Sequence, residues 1–180
     1  MARKFKPLPV LEGAQAAAVD PNVHASVSAS AGSGKAQVLT GRVLSLLLNG
    51  ADPEGILCLT FTKAGAAEMA NRIGARLAAW VRMKDNELAA DLIALRADPG
   101  PASRERARRL FAKVLEAPGG LRIQTIHSFA QGLLACCPAE AGITPGFTPI
   151  EGRAEQELAR TTLASLLADA EARGDEGLIA

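Results

Sequence analysis

The sequence predicts an α/β domain built on a parallel sheet, and three observations carry that expectation. A run of small and β-branched residues at 23–29 feeds directly into the glycine-rich turn Ala29-Ser30-Ala31-Gly32-Ser33-Gly34-Lys35-Ala36. Segments of helical period follow, and they alternate with two more apolar runs of strand length, at 56–60 and 121–126. The strand-length runs are separated by helices, which is the order of parallel strands joined by helical crossovers.

Residues 1–10 read as a flexible arm, and 11–19 as a short helix ended by Asp20-Pro21-Asn22. From 35 to 48, Leu39, Val43, Leu46 and Leu47 fall at helical spacing, and Asn49-Gly50 closes the helix. A long helix is expected over 63–83, with Ala66, Met69, Ala70, Ile73, Leu77 and Trp80 on one face and a Glu68/Arg72 pair on another. Two helices, 86–97 and 103–116, flank Asp98-Pro99-Gly100-Pro101. The turn Pro118-Gly119-Gly120 opens the strand at 121–126, a helix over 128–137 is stopped by Pro138, and a last helix covers 154–170. The helix pair interrupts the alternation. The expected organisation is therefore a core over 11–83, a helical insertion over 84–117, a return to the core over 118–150, and the start of a further subdomain over 151–180.

The hydrophobic fraction is 48% but aromatics are only 3%, so the core must rely on Leu, Ile, Val and Ala, and each phenylalanine is worth locating. A net charge of +1 predicts no strongly basic surface overall and leaves local patches open. One such patch is Arg104, Arg106, Arg108, Arg109 and Lys113, which could follow phosphates or could be the solvated face of a helix. The three cysteines, Cys58, Cys136 and Cys137, have no metal-ligand spacing and fit a reducing compartment. The N-terminus has no apolar secretory core, and no run approaches the ~20 apolar residues of a membrane span, so a cytoplasmic protein is expected.

The glycine turn carries the chemistry. Following a strand and opening a helix, it has the layout of a P-loop, whose backbone N–H groups surround a polyphosphate. Lys35 would reach the β- and γ-phosphates. The position after that lysine ordinarily holds a Ser or Thr hydroxyl that ligates Mg²⁺, and here it is Ala36. The bland alternative is a glycine-rich strand-to-helix turn with a stray lysine.

A second motif, Thr60-Phe61-Thr62-Lys63-Ala64-Gly65-Ala66-Ala67-Glu68-Met69, and a third, Gln124-Thr125-Ile126-His127-Ser128-Phe129, follow the later strands. Together with the glycine turn they resemble, in order and spacing, the UvrD/Rep-type superfamily-one DNA helicases. Within that group the resemblance is closest to the N-terminal part of the AddA-type helicase–nuclease subunits of double-strand-break repair. Residues 56–64, 118–127 and 140–147 carry that closer likeness, which extends from about Gln15 onward.

The resemblance implies a RecA-like P-loop domain, here incomplete, and an ATP-dependent helicase moving 3′–5′ on single-stranded DNA. It implies ATP held by Gln15, Ala29, Ser30, Ala31, Gly32, Ser33, Gly34, Lys35 and Ala36. Gln15 would read adenine, and Lys35 would be the catalytic lysine. Phe61, Thr62, His127 and Phe129 would contact DNA, single- or double-stranded. Phe61 offers a stacking face. A core role for Phe129, at helical spacing with Leu133 and Cys136, remains an equal alternative. An AddB-type partner protein and, in the intact enzyme, Mg²⁺ also follow from the resemblance.

No Asp-Glu pair follows a strand; Asp175-Glu176 lies in a polar tail, and no metal site is expected within the chain itself. The sequence thus reads as the N-terminal portion of a helicase, unable by itself to hydrolyse ATP. The alternatives are a non-catalytic remnant that only binds nucleotide or single-stranded DNA, and an unrelated P-loop kinase, which leaves Thr60–Met69 unexplained.

Overall fold

The structure is a computed structural model, and it describes residues 6–28, 30 and 34–174. Seven α-helices and two strands are described: α1 (Gly13–Val19), α2 (Lys35–Leu48), β1 (Leu57–Thr60), α3 (Lys63–Arg82), α4 (Asp85–Ala94), α5 (Pro101–Glu116), β2 (Arg122–Thr125), α6 (Ile126–Cys136) and α7 (Arg153–Arg173). The chain divides into two compact units, Met1–Gln131 and Gly132–Ala180.

In the first unit, β1 and β2 pair in parallel, with Leu57 opposite Arg122 and Thr60 opposite Thr125. The connection between them runs through α3, α4 and α5, as a parallel pair requires a long crossover. The fold is therefore mixed α/β with a parallel sheet, which among the described residues has two strands. Residues 23–28, expected to be part of a strand, form none. They are exposed and have no ladder partner, and β-propensity alone does not hold a strand without one.

The helix ends follow local chemistry. At the end of α2, Asn49 Nδ2 donates to the Ser45 carbonyl at 2.8 Å, and Gly50 takes φ +96°. α3 starts where Thr62 Oγ1 accepts from Gly65 N at 3.0 Å. α5 begins two residues earlier than its expected start, because Pro101 suits the first helical turn, where its missing N–H is no loss. α4 stops earlier than expected, in a Schellman arrangement: Arg96 N donates to Ile93 O at 2.9 Å and Ala97 N to Leu92 O at 2.8 Å. Arg96 occupies the left-handed position, φ +57°, that glycine usually fills.

Ile73, Leu77 and Trp80 of α3 pack with Leu44 and Leu47 of α2, Leu88 and Leu92 of α4, and Ala107 and Leu110 of α5 in one hydrophobic core. The helices of 84–117 thus share the core of the strands' own unit. At its centre is a carboxylate: Asp91, fully buried, accepts from Trp80 Nε1 at 2.8 Å, Arg76 Nη1 at 3.0 Å and Leu8 N at 2.8 Å. Arg76 also donates to the Lys6 carbonyl at 3.1 Å. Residues 6–10, expected within an arm, form no helix or strand, but these bonds tie Lys6 and Leu8 to the core.

α1 has no side-chain cap and is only seven residues long, too short to persist without docking. It docks on α2 at Gly41, where an added Cβ would lie 3.3 Å from Val19 Cγ2. Beside that contact, Arg42 donates to three carbonyls, Ala18 at 2.9 Å, Asp20 at 2.7 Å and Val23 at 2.6 Å.

In the second unit, α7 is followed by Gly174 in the left-handed conformation at its C-cap. Leu158, Leu163, Leu166 and Leu167 of that helix are exposed.

Replacing Asp91 by Ala leaves Arg76, Trp80 Nε1 and Leu8 N without their acceptor. The expected cost is about 3 kcal/mol, since removing one member of a buried pair strands the other. Urea unfolding followed by the fluorescence of Trp80, the single tryptophan, reads this loss.

Candidate functional site

The glycine turn meets α2 at Gly34, whose φ of +88° is a conformation that side-chain-bearing residues rarely adopt. Gln37 N and Val38 N close back on the Gly34 carbonyl at 2.9 and 3.1 Å, so Lys35 is the first helical residue, as expected. An added Cβ at Gly34 would lie 3.7 Å from Gln15 Nε2. The structure therefore brings the α1 glutamine against the end of the glycine turn. Gln15 and Lys35 line one cavity of about 200 Å³ together with Ser26 and Ser28.

Ser30 is exposed and lies in no helix or strand, whereas Ala29, Ala31, Gly32 and Ser33 lie outside the described residues. Two larger cavities, of about 420 and 380 Å³, lie elsewhere in this unit. Neither contains Gln15 or Lys35. Chemistry, not size, distinguishes the smaller one: an amide and an ammonium beside the N-terminus of a fourteen-residue helix suit a base and a polyphosphate.

The donor set does not suit Mg²⁺. Ala36 is exposed at the second position of α2 and offers no side-chain oxygen. The nearest hydroxyl along the helix, Thr40 Oγ1, is committed to the Ala36 carbonyl at 2.8 Å. Among the described residues, no three His, Cys, Asp or Glu side chains converge on a metal position. Asp175 and Glu176 lie outside those residues.

The other two motifs leave the sheet together. Because Thr60 is opposite Thr125 in a parallel pair, Phe61-Thr62 and Ile126-His127 follow at the same carboxyl edge. That edge is where open α/β sheets take up ligands. Phe61 is 83% exposed, held between the last residue of β1 and the capping Thr62. Gly65 permits this tight start of α3: a Cβ there would lie 3.0 Å from the hydroxyls of both Thr60 and Thr62.

On the neighbouring strand, buried Thr125 Oγ1 accepts from Ser128 N at 3.1 Å and shares a hydrogen bond with Ser128 Oγ at 2.9 Å. This caps the first turn of α6 and places His127, which is exposed, on the same edge. Phe129 is half-buried, and no residue of α6 is fully buried.

The basic side of α5 has another use. Arg108 donates to Asp85 at 2.8 Å and to the Met83 carbonyl at 2.9 Å; Arg104 bonds the Pro99 carbonyl at 2.7 Å; Arg109 pairs with Glu105. Lys113 Nζ contacts Asp52 at 2.8 Å, and its hydrogen bond and charge hold that carboxyl below the usual range. These bonds favour the structural reading of the patch over a phosphate track. Arg42 and Asp91 are the residues that sequence reasoning missed, since each reads there as one more polar position on a helix.

The family model described as UvrD/REP helicase N-terminal domain matches residues 11–176. The chain is similar to the AddA-type ATP-dependent helicase/nuclease subunit of Latilactobacillus sakei subsp. sakei, 38% identical over 122 residues, 67% of this chain and 12% of that protein. It is also similar to the protein of that name from Carboxydothermus hydrogenoformans, 32% identical over 157 residues, 86% of this chain and again 12% of the relative. With the Lactobacillus helveticus protein of the same name it shares 57% identity over 51 residues, 28% of this chain and 4% of that protein. The chain thus spans about an eighth of the length of the first two relatives. Among the described residues, no helix is long and apolar enough to cross a membrane.

Beneath the motif edge, burial pushes the Cys58 thiol above its ordinary value, while Cys136 and Cys137 are exposed. A thiol reagent at neutral pH should label Cys136 and Cys137 rapidly and Cys58 only slowly, because the thiolate is the reacting form. Peptide mapping after timed alkylation reads the order.

Proposed function

We propose a function from one premise: the chain belongs to the UvrD/REP helicase N-terminal domain family. Its role is the nucleotide-gripping and strand-contacting part of an ATP-dependent DNA helicase of the AddA helicase/nuclease type. The observation that carries this reading is the Thr60–Thr125 register, which sets an exposed aromatic and an exposed histidine side by side at one sheet edge.

In this reading the first unit is a RecA-like P-loop domain. Gln15 reads adenine through paired donor and acceptor atoms, as a glutamine amide does with the N6 and N7 edge. Ala29, Ser30, Ala31, Gly32, Ser33, Gly34 and the Ala36 backbone surround the phosphates, and Lys35 neutralises their charge. Phe61 stacks on a base of single-stranded DNA, while Thr62, His127 and Phe129 contact the same strand. Movement 3′–5′, a place in double-strand-break repair, an AddB-type partner and a cytoplasmic setting belong to the same proposal.

Hydrolysis by this chain is negligible in the proposal. Phosphoryl transfer depends on metal-assisted positioning, and Ala36 withholds a metal ligand. Ala36, with the Thr40 hydroxyl turned to a carbonyl, is also what favours the second reading, a module that binds nucleotide or single-stranded DNA without turnover.

For the 180-residue chain, Lys35→Ala should abolish binding of a fluorescent ATP analogue, and ATP turnover should match that variant's background. Turnover well above that background would contradict the hydrolysis claim. Phe61→Ala should weaken binding of a thymidine oligonucleotide by about tenfold, the scale of one stacked base, without lowering the melting temperature. Fluorescence anisotropy and a thermal melt read the pair, and unchanged DNA affinity would remove Phe61 from the site.

A further inference from the structure

We propose that Arg42 is a positioning residue for base recognition, holding the Gln15 helix in place against the glycine turn. This rests on the nucleotide reading above and deepens it by assigning adenine selectivity to a residue that need not touch the base. A chain of contacts carries the inference. Arg42 lies on α2, the helix that Lys35 begins, so it moves with the phosphate-gripping end. Its guanidinium donates across to α1 and the turn beyond: Nη1 to the Ala18 and Asp20 carbonyls at 2.9 and 2.7 Å, Nη2 to the Val23 carbonyl at 2.6 Å.

Helix ends leave carbonyls without partners, and a cation there satisfies them and opposes the negative end of the helix dipole. α1 has no basic residue in its last turn and no side-chain cap at its start, so it depends on docking for its order. The apolar part of that docking comes from Ala16, Ala18 and Val19, with Val19 against Gly41. The guanidinium supplies polar fixation at the far end of the helix from Gln15. Gln15 Nε2 lies 3.7 Å from the Cβ position of Gly34, so a small rotation of α1 would move the amide relative to Lys35.

A planar fork satisfies three acceptors at once. A lysine ammonium in its place can reach fewer of them in good geometry. Arg42→Lys should therefore give an intermediate result, and Arg42→Ala the full one.

The test separates base selectivity from phosphate grip in the 180-residue chain. Affinities for fluorescent ATP and GTP analogues, and competition by inorganic tripolyphosphate, are measured for the unsubstituted chain, Gln15→Ala, Arg42→Lys, Arg42→Ala and the Gln15→Ala/Arg42→Ala double variant. Arg42→Ala should lower ATP affinity about tenfold, bring the ATP/GTP ratio down to that of Gln15→Ala, and leave tripolyphosphate affinity within about twofold. The double variant should be no weaker than either single one, the signature of two residues acting through one contact.

Retention of the ATP/GTP ratio in Arg42→Ala, or additive losses in the double variant, would overturn the proposal. So would a parallel fall in tripolyphosphate affinity, or intact selectivity in a folded Arg42→Lys if Arg42→Ala does not fold. An unsubstituted chain that binds tripolyphosphate without base preference would overturn it while leaving the phosphate site standing. A chain that binds neither nucleotide nor tripolyphosphate would overturn the nucleotide reading itself, and this inference with it.

Discussion

The parallel pairing of Leu57–Thr60 with Arg122–Thr125 is the constraint on which the arrangement of the motifs depends. Two motifs more than sixty residues apart become neighbours only because the strands run the same way and end in register at Thr60 and Thr125. An antiparallel pair would send them to opposite edges. Each strand then passes at once into a helix, α3 or α6, whose first turn is capped by a threonine hydroxyl. The residues at the junctions, Phe61 and His127, are left exposed beside ordered backbone. That combination lets the edge hold a ligand without first having to form.

Parallel strands need a long connection, and here the connection is also the core. α3, α4 and α5 bury Ile73, Leu77, Trp80, Leu88, Leu92 and Leu110 in contact with α2. Few aromatics contribute, so directional bonds help fix which helix meets which. Asp91 gathers α3, α4 and the segment at Leu8 on one carboxylate, and Arg42 ties α1 to α2 through three carbonyls. Leaving the buried Asp91 carboxylate without its donors would cost several times a typical net hydrogen bond. These groups therefore choose the docking geometry as well as strengthen it.

Much of this is legible in the sequence, and the exceptions have physical causes. Lys35–Leu48 is found with its expected bounds, because a glycine turn, a clear apolar stripe and Asn49-Gly50 all agree. The long helix is likewise found over Lys63–Arg82, with its expected face buried at Ala66, Ile73, Leu77 and Trp80. Residues 23–28 have strand composition but no neighbour, and pairing is a tertiary property that no local window contains. The end of α4 escapes a sequence reading because its left-handed cap residue is Arg96, where glycine would signal the stop. Asp91 and Arg42 look like solvent-facing positions on amphipathic helices. Only the packing shows that one is wholly buried and that the other reaches back to Ala18, Asp20 and Val23. The basic helix α5 misleads in the opposite sense, since its cations fasten neighbouring turns.

The most direct measurement is photo-crosslinking of the 180-residue chain to an iodouridine-substituted single-stranded oligonucleotide, with the adducts mapped by mass spectrometry. A shared strand-contacting edge predicts adducts in both the peptide carrying Phe61 and the peptide carrying His127 and Phe129, competed away together by unlabelled single strand. Adducts confined to α5, or to only one of the two motifs, would contradict the claim that the parallel register builds a single DNA-contacting edge.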